Sequence, residues 1–238
     1  MTVRLDKFIA SSLALTRSEA HALIKKGCVT VDGKVERDIG KKIDPDNSDV
    51  RAKNEKLSFS QFHYYMLNKP DGYICSTEDM RDPTIMELLP DKVKHHKVFP
   101  VGRLDKDTFG LVILTDNGEL AHYLLSPKRH VEKEYYLETD VPMEESDVEK
   151  LKKGVDIGED KLTLPAILNI TSDPQKAYIT ICEGKFHQIK RMLKAVGKTV
   201  VYLERVRFDE IPLDRSLERG ETRELTEDEI KSLLKNMA

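Results

Sequence analysis

Gly102-Arg-Leu-Asp105-Lys-Asp107-Thr108-Phe-Gly110-Leu-Val-Ile-Leu114 joins a polar loop directly to an apolar, strand-like run. Glycines at 102 and 110 let the backbone turn sharply, and the run Leu111 to Leu114 gives the loop a rigid support. A sequence of this kind holds one carboxylate, Asp105, at the rim of a sheet, beside Arg103. Residue chemistry alone would leave Asp105, flanked by Lys106 and Asp107, as solvated surface.

Outward from this loop the chain divides into two parts. Thr16-Arg-Ser-Glu19 is a capping box that opens a helix with Ala20, Leu23 and Ile24 on one face and Gly27 past its end. Cys28 to Val31, Asp32-Gly33 and Lys34-Val35 read as a short hairpin, whose turn pair favours positive φ. A helical segment before the capping box completes a small module over residues 1–60. Asp44-Pro-Asp-Asn-Ser-Asp49 is turn chemistry, and residues 59–61 form the link to a larger domain over 61–238.

That second domain opens with His63-Tyr-Tyr-Met-Leu-Asn-Lys-Pro70, a strand that Pro70 stops. Asp82 to Pro90 reads as a one- or two-turn helix between prolines, and Asp116-Asn117-Gly118 as a turn into a helix bearing Leu120, Ala121, Leu124 and Leu125. Strand-like segments recur at 135–139, 166–171, 178–182 and 200–208 with few helices between them. The fold class is therefore α+β with a mostly antiparallel sheet.

Residues 187–196 have two faces at helical spacing. Ile189, Met192, Leu193 and Val196 lie on one side, and His187, Lys190, Arg191 and Lys194 lie almost opposite, with Lys198 just past Gly197. The net charge of −3 conceals segregation: residues 1–43 carry nine Lys/Arg against five Asp/Glu, and 184–207 carry seven against one. Phosphates respond to charge within roughly 10 Å at moderate salt, so these local densities matter more than the total.

Hydrophobic residues make up 39% of the chain and no apolar run reaches membrane-spanning length. The charged start, Met-Thr-Val-Arg-Leu-Asp-Lys, does not read as a signal peptide, which places the chain in the cytoplasm. Three well-separated cysteines, Cys28, Cys75 and Cys182, support neither a disulfide framework nor a Cys-x-x-Cys metal site. No His-Glu-x-x-His pair occurs, so no metal is expected.

Gly-Arg-Leu-Asp105 with Thr108, Gly110 and the apolar run resembles the catalytic-aspartate motif of pseudouridine synthases of the RsuA family. Leu67-Asn-Lys-Pro-Asp-Gly72, Lys133-Glu-Tyr135 and Glu183-Gly-Lys-Phe-His-Gln-Ile-Lys-Arg-Met192 match that family's other motifs, and the resemblance runs to about residue 230. Arg4-Leu-Asp-Lys-Phe8 and Gly27-Cys-Val-Thr-Val-Asp-Gly33 resemble the S4-type RNA-binding module.

The resemblance implies isomerisation of uridine to pseudouridine in ribosomal RNA, without cofactor or metal. It implies Asp105 as nucleophile or as the charge stabilising the sugar, Lys190 as the cation paired with it and keeping it ionised, and Tyr135 against the target base. Lysine at 190 departs from the arginine of many other synthase families and would give a single-point ion pair. Arg103, Arg4, Lys7, Arg17, Lys25, Lys26, His187, Arg191 and Lys194 are the expected RNA contacts. The compact length and the absence of a basic C-terminal tail favour the small-subunit (16S) RNA, or an assembling small subunit, with the protein acting as a monomer. Large-subunit RNA is the alternative substrate, and a non-catalytic assembly factor the alternative function. A metal nuclease built on Asp105, Asp107 and Asp116 lacks a histidine-carboxylate cluster at ligand spacing. Phe208-Asp-Glu210 departs from the family's small-residue-and-glycine continuation and leaves the end of the last strand open.

Overall fold

A computed structural model describes residues 2–235 and 237. It contains two compact units, one of residues 1–63 with 90–98 and one of residues 64–89 with 99–238.

The first unit contains β1 (Val3–Arg4), α1 (Leu5–Leu13), α2 (Arg17–Lys25), β2 (Val29–Val31), β3 (Lys34–Val35), β4 (Lys42–Ile43), β5 (Val50–Ala52), β6 (Glu55–Lys56) and α3 (Asp91–His95). Leu5, Phe8 and Ile9 recur on one side of α1 and are fully buried, and Ala14 ends the helix in the left-handed region. Thr16 and Glu19 close the expected capping box on α2. Asp32 and Gly33 both take positive φ between β2 and β3, as a two-residue hairpin requires. The core combines these helices with Val29, Val31, Ile43 and Val50.

Among the described residues of this unit, Asp6 is the one buried carboxylate. It accepts hydrogen bonds from Arg4 Nε (3.0 Å) and Nη2 (2.9 Å) and from the backbone N–H of Lys7 (2.8 Å), and lies 3.1 Å from His21 Nε2. The Arg4 guanidinium holds its carboxyl well below the usual range, against the opposing effect of burial.

The second unit is built on a sheet. Its elements are β7 (Tyr64–Lys69), a 3-10 turn (Ile85–Leu88), β8 (Phe99–Pro100), β9 (Phe109–Thr115), α4 (Gly118–Leu125), β10 (Lys133–Thr139), α5 (Glu145–Lys153), β11 (Ile167–Ile170), β12 (Lys176–Ile181), α6 (Gln188–Ala195), β13 (Val200–Phe208), β14 (Ile211–Pro212), β15 (Thr222–Glu224) and α7 (Glu227–Leu234). The strand order is β11-β12-β10-β13-β9-β7-β15, with β14 on β13 and β8 on β9. Every pairing is antiparallel except β13 with β9. The fold is thus α+β with a mostly antiparallel sheet.

The parallel join explains one glycine. Arg205 pairs with Gly110, and a Cβ at 110 would lie 2.3 Å from the Arg205 carbonyl oxygen, so only glycine lets β13 approach β9 this closely. The last strand, left open by the sequence, ends at Phe208. Asp209 takes φ +54, in the left-handed region that favours glycine, and Ile211 pairs back onto Phe208.

One register row crosses five strands: Ile179, Tyr135, Arg205, Gly110 and Lys69 stand side by side from β12 to β7. Strand alternation puts their neighbours Tyr136 and Glu204 on the other face. There Tyr136 packs with Tyr178 and Tyr202, and Phe109 stacks on Tyr202.

Because the carboxyl of Asp6 titrates lower when folded, its stabilisation is complete above the unfolded pKa near 4 and is lost progressively below it, as pH falls toward the lower folded value. Asp6→Asn should destabilise the first unit by about 2 kcal/mol at pH 7. In urea unfolding, the gap between wild type and variant should hold from pH 7 to about pH 5 and narrow from there toward pH 3.

Candidate active site

The loop from Gly102 to Thr108 is fixed from beneath by a lysine. Lys69, the last residue of β7, has no exposed surface, and its Nζ donates to the carbonyl oxygens of Pro70 (3.0 Å), Lys106 (3.0 Å) and Thr108 (2.8 Å). Burial pushes this ammonium down from the ordinary lysine value. The Leu104 N–H points at Cys75 Sγ (3.3 Å), and the Thr108 N–H donates to the Asp105 carbonyl (3.0 Å). Lys106 turns outward to Asp82 (2.6 Å). The backbone is held on both sides of residue 105, which leaves its carboxylate at the rim.

The opposing wall is the start of α6. Glu183 and Gln188 close the turn before it: Gln188 Nε2 donates to Glu183 Oε1 (2.8 Å), and Gln188 Oε1 accepts the Lys185 N–H (2.9 Å). His187 caps the helix at φ +47, a conformation that costs about 1 kcal/mol or more outside glycine. This turn carries His187 Nε2 to 3.6 Å from Asp105 Oδ1, and Lys190 Nζ to 3.7 Å from Asp105 Oδ2.

Lys190 makes its closer contact with Asp107, at 2.5 Å from Oδ1. The sequence reading paired Lys190 with Asp105; the structure shares the cation between two carboxylates and bonds it to the neighbour. Burial raises the Asp107 carboxyl, but bonded Lys190 and nearby His187 outweigh it, and the net shift is downward.

Asp105 and Lys190 open onto a cavity of about 910 Å³, whose lining includes Arg103, Tyr135, His187 and Arg205. That volume suits a nucleotide-sized ligand. Tyr135 is buried apart from its cavity edge, and Arg103 is exposed at the rim without a hydrogen bond or ion pair among the described residues. Cys75 and Cys182 also line it, but burial pushes both thiols up, so neither is an activated thiolate.

The other expected RNA contacts are distributed differently. Arg191, expected on the basic face of α6, is engaged within the protein: it donates to Glu159 (2.9 Å) and to the carbonyls of Phe186 and Ile157. Lys198 is likewise held, by Asp147 and the Pro142 carbonyl. Lys194 remains exposed, as do Lys7, Arg17, Lys25 and Lys26 in the first unit, while Arg4 is bound to Asp6. Two contributors escaped the sequence reading: Lys69, which appeared only within the Leu67–Gly72 motif, and Arg205, which appeared only within the strand-like segment 200–208. Among the described residues no group of three or more His, Cys, Asp or Glu side chains is placed to hold a metal, and no helix is long and apolar enough to cross a membrane.

The chain is similar to known proteins over nearly its full length. The RNA pseudouridylate synthase family model matches residues 63–195, and the S4 domain model matches residues 3–48. A Bacillus subtilis (strain 168) protein described as the uncharacterized RNA pseudouridine synthase YtzG is 44% identical over 234 residues, covering 97% of this chain and 98% of that protein. Ribosomal small subunit pseudouridine synthase A of Escherichia coli (strain K12) is 42% identical over 233 residues, covering 98% of this chain and 100% of the relative. A crystal structure of pseudouridylate synthase superposes with a TM-score of 0.69 at 40% identity, covering 97% of this chain and 99% of the other. The chain belongs to the RNA pseudouridylate synthase family and carries an S4 domain at its N-terminal end.

Lys69→Met would take the lysine donor from three inward-facing carbonyls, of which that of Lys106 keeps the Gly72 N–H (3.1 Å). Urea unfolding should show a loss of roughly 3 kcal/mol. Lys106→Met, which removes only an exposed ion pair, should cost under about 1 kcal/mol.

Proposed function

We propose that this protein isomerises a uridine of small-subunit (16S) ribosomal RNA to pseudouridine, with Asp105 as the residue acting on the sugar. The single observation carrying the reading is the Asp105 carboxylate. It stands at the rim of a nucleotide-sized cavity, between His187 and Lys190, on a loop whose backbone Lys69 holds rigid. The small-subunit target rests on the relatives named for it, which match over nearly the full chain.

The reaction breaks the bond between the ribose anomeric carbon and N1, turns the base, and rejoins the sugar to C5. The reacting atoms are inaccessible in stacked RNA, so the uridine must be turned out into the cavity. Asp105 then either attacks the anomeric carbon or stabilises the positive charge developing on the sugar; both roles need a carboxylate fixed on one side of the ring. Lys190 is hydrogen-bonded to Asp107 and does not tie up Asp105, so the oxygens of Asp105 remain available to the substrate. Tyr135 packs against the base and positions a hydroxyl near the sugar, and Arg103 at the rim takes the phosphate of the extruded nucleotide. The exposed lysines and arginines of the S4 domain add sequence-independent attraction for the RNA backbone. The protein acts as a monomer in the cytoplasm.

Asp105→Asn keeps the shape and removes the charge. It should reduce pseudouridine formation on the order of 10³-fold or more while leaving RNA affinity within about threefold. In a strain lacking the gene, sequencing should find one 16S uridine unmodified, restored by wild type and not by Asp105→Asn. An unchanged 16S profile would contradict the target, and an active Asp105→Asn protein would contradict the mechanism.

A further inference from the structure

Arg205 has no role in the chemistry described above, yet it is the largest fully buried side chain of the described residues. Its backbone pairs with Tyr135 on one side and with Gly110 on the other, so its side chain emerges beside the tyrosine and over the one position in the row that has no side chain. Its Nε donates to the Leu111 carbonyl (2.7 Å), and its guanidinium lies 5.2 Å from the Phe208 ring centre. No carboxylate is bonded to it among the described residues. A buried cation without a counter-charge is costly, and one kept in a substrate cavity is accounted for by what enters that cavity.

A second observation points the same way. Among the described residues only two buried side-chain polar atoms lack a hydrogen-bond partner, Arg205 Nη2 and Thr108 Oγ1, and both residues line the cavity that holds Asp105. Lys133 adds a second cation there: its Nζ bonds only a carbonyl, that of Val131, and lies 5.5 Å from the other partner of Arg205, the Phe208 ring. Burial, and then the charge of Arg205, push Lys133 down to about 8, which leaves it cationic at neutral pH. The cavity therefore has a carboxylate at its rim and two cations in its floor.

We propose that Arg205 is a catalytic residue that binds a carbonyl oxygen of the extruded uracil through Nη2 and holds the negative charge the base carries while it is detached from the sugar. This deepens the proposed function and rests on it. When the N1–C1′ bond breaks, its electron pair stays on the base and spreads onto O2 and O4. The new C5–C1′ bond takes its pair from the base, C5 releases a proton, and N1 takes one up, so the isomerisation balances without another reagent. Water does not reach Nη2 in the free protein; the donor is taken up when an entering base shifts the side chains over it. A donor-only group in this place donates to O4 of uracil and cannot accept from the amino group that cytosine carries at that position. Asp105 and Arg205 thus divide the charge separation between them, carboxylate toward the sugar and guanidinium toward the base.

The test is single-turnover kinetics, followed as loss of the N1-linked nucleoside, on a 16S fragment carrying either uridine or 5-fluorouridine at the target; the fluorinated base leaves as the more stable anion, and its C5, having no proton to release, stops the reaction after rejoining. Arg205→Ala should lower the rate on uridine by about 10²-fold or more, with RNA affinity within about threefold. The loss should be at least about fivefold smaller on 5-fluorouridine, and added guanidinium should restore activity by at least about tenfold. Arg205→Lys, which keeps volume and charge, carries the same comparison if the alanine protein does not fold; its smaller loss should again be greater on uridine. Equal losses on both substrates, or an Arg205→Ala rate within about threefold of wild type, overturn the role of Arg205 alone. A wild-type protein inactive on both substrates overturns the proposed function with it.

Discussion

A single buried ammonium organises the catalytic unit. Lys69 reaches from the end of β7 to three carbonyl oxygens, two of them in the loop that follows Asp105. A loop carrying a reactive carboxylate has few apolar contacts of its own to hold it, and fixing it to fractions of an ångström needs strong, directional bonds. Gly110 supplies the complementary constraint: without a side chain there, β13 can run close beside β9 and bring Arg205 under the same loop. The floor and the rim of the site therefore share one origin, the row of residues that crosses the sheet from β12 to β7.

The charges within the cavity are unevenly paired. Lys190 bonds Asp107 and only approaches Asp105, and His187 reaches Asp105 from the other side. The carboxylate has an ammonium and an imidazole beside it yet is not locked into a bidentate pair, which an arginine at 190 would invite. Deeper in, Arg205 and Lys133 face a cavity and not an acid. This polarity, negative toward one end of a nucleotide and positive toward the other, fits a reaction that separates a sugar cation from a base anion and then rejoins them.

Local features were legible in the sequence because local residues decide them. The Thr16–Glu19 capping box, the Asp32-Gly33 turn and the amphipathic helix after His187 each follow from side chains a few positions apart. The α+β class followed from the spacing of the strands, and the Asp105 loop from its glycines together with the family motif. What depended on register was not legible. Lys69 and Arg205 are separated by more than a hundred residues, and nothing in either segment shows that both flank Gly110. Nor could helical spacing show that Arg191 turns back to Glu159, or that Lys190 lies closer to Asp107 than to Asp105, since both follow from loops that pack against α6 from elsewhere in the chain.

The most direct test is a crystal structure of the Asp105→Asn protein bound to a 16S fragment containing the target uridine. The account predicts that uridine turned out of the RNA, with its anomeric carbon within about 3.5 Å of the residue 105 side chain and its base lying over Tyr135 toward Arg205. A uridine still stacked in the RNA, or seated away from residue 105 with the cavity empty, would contradict it.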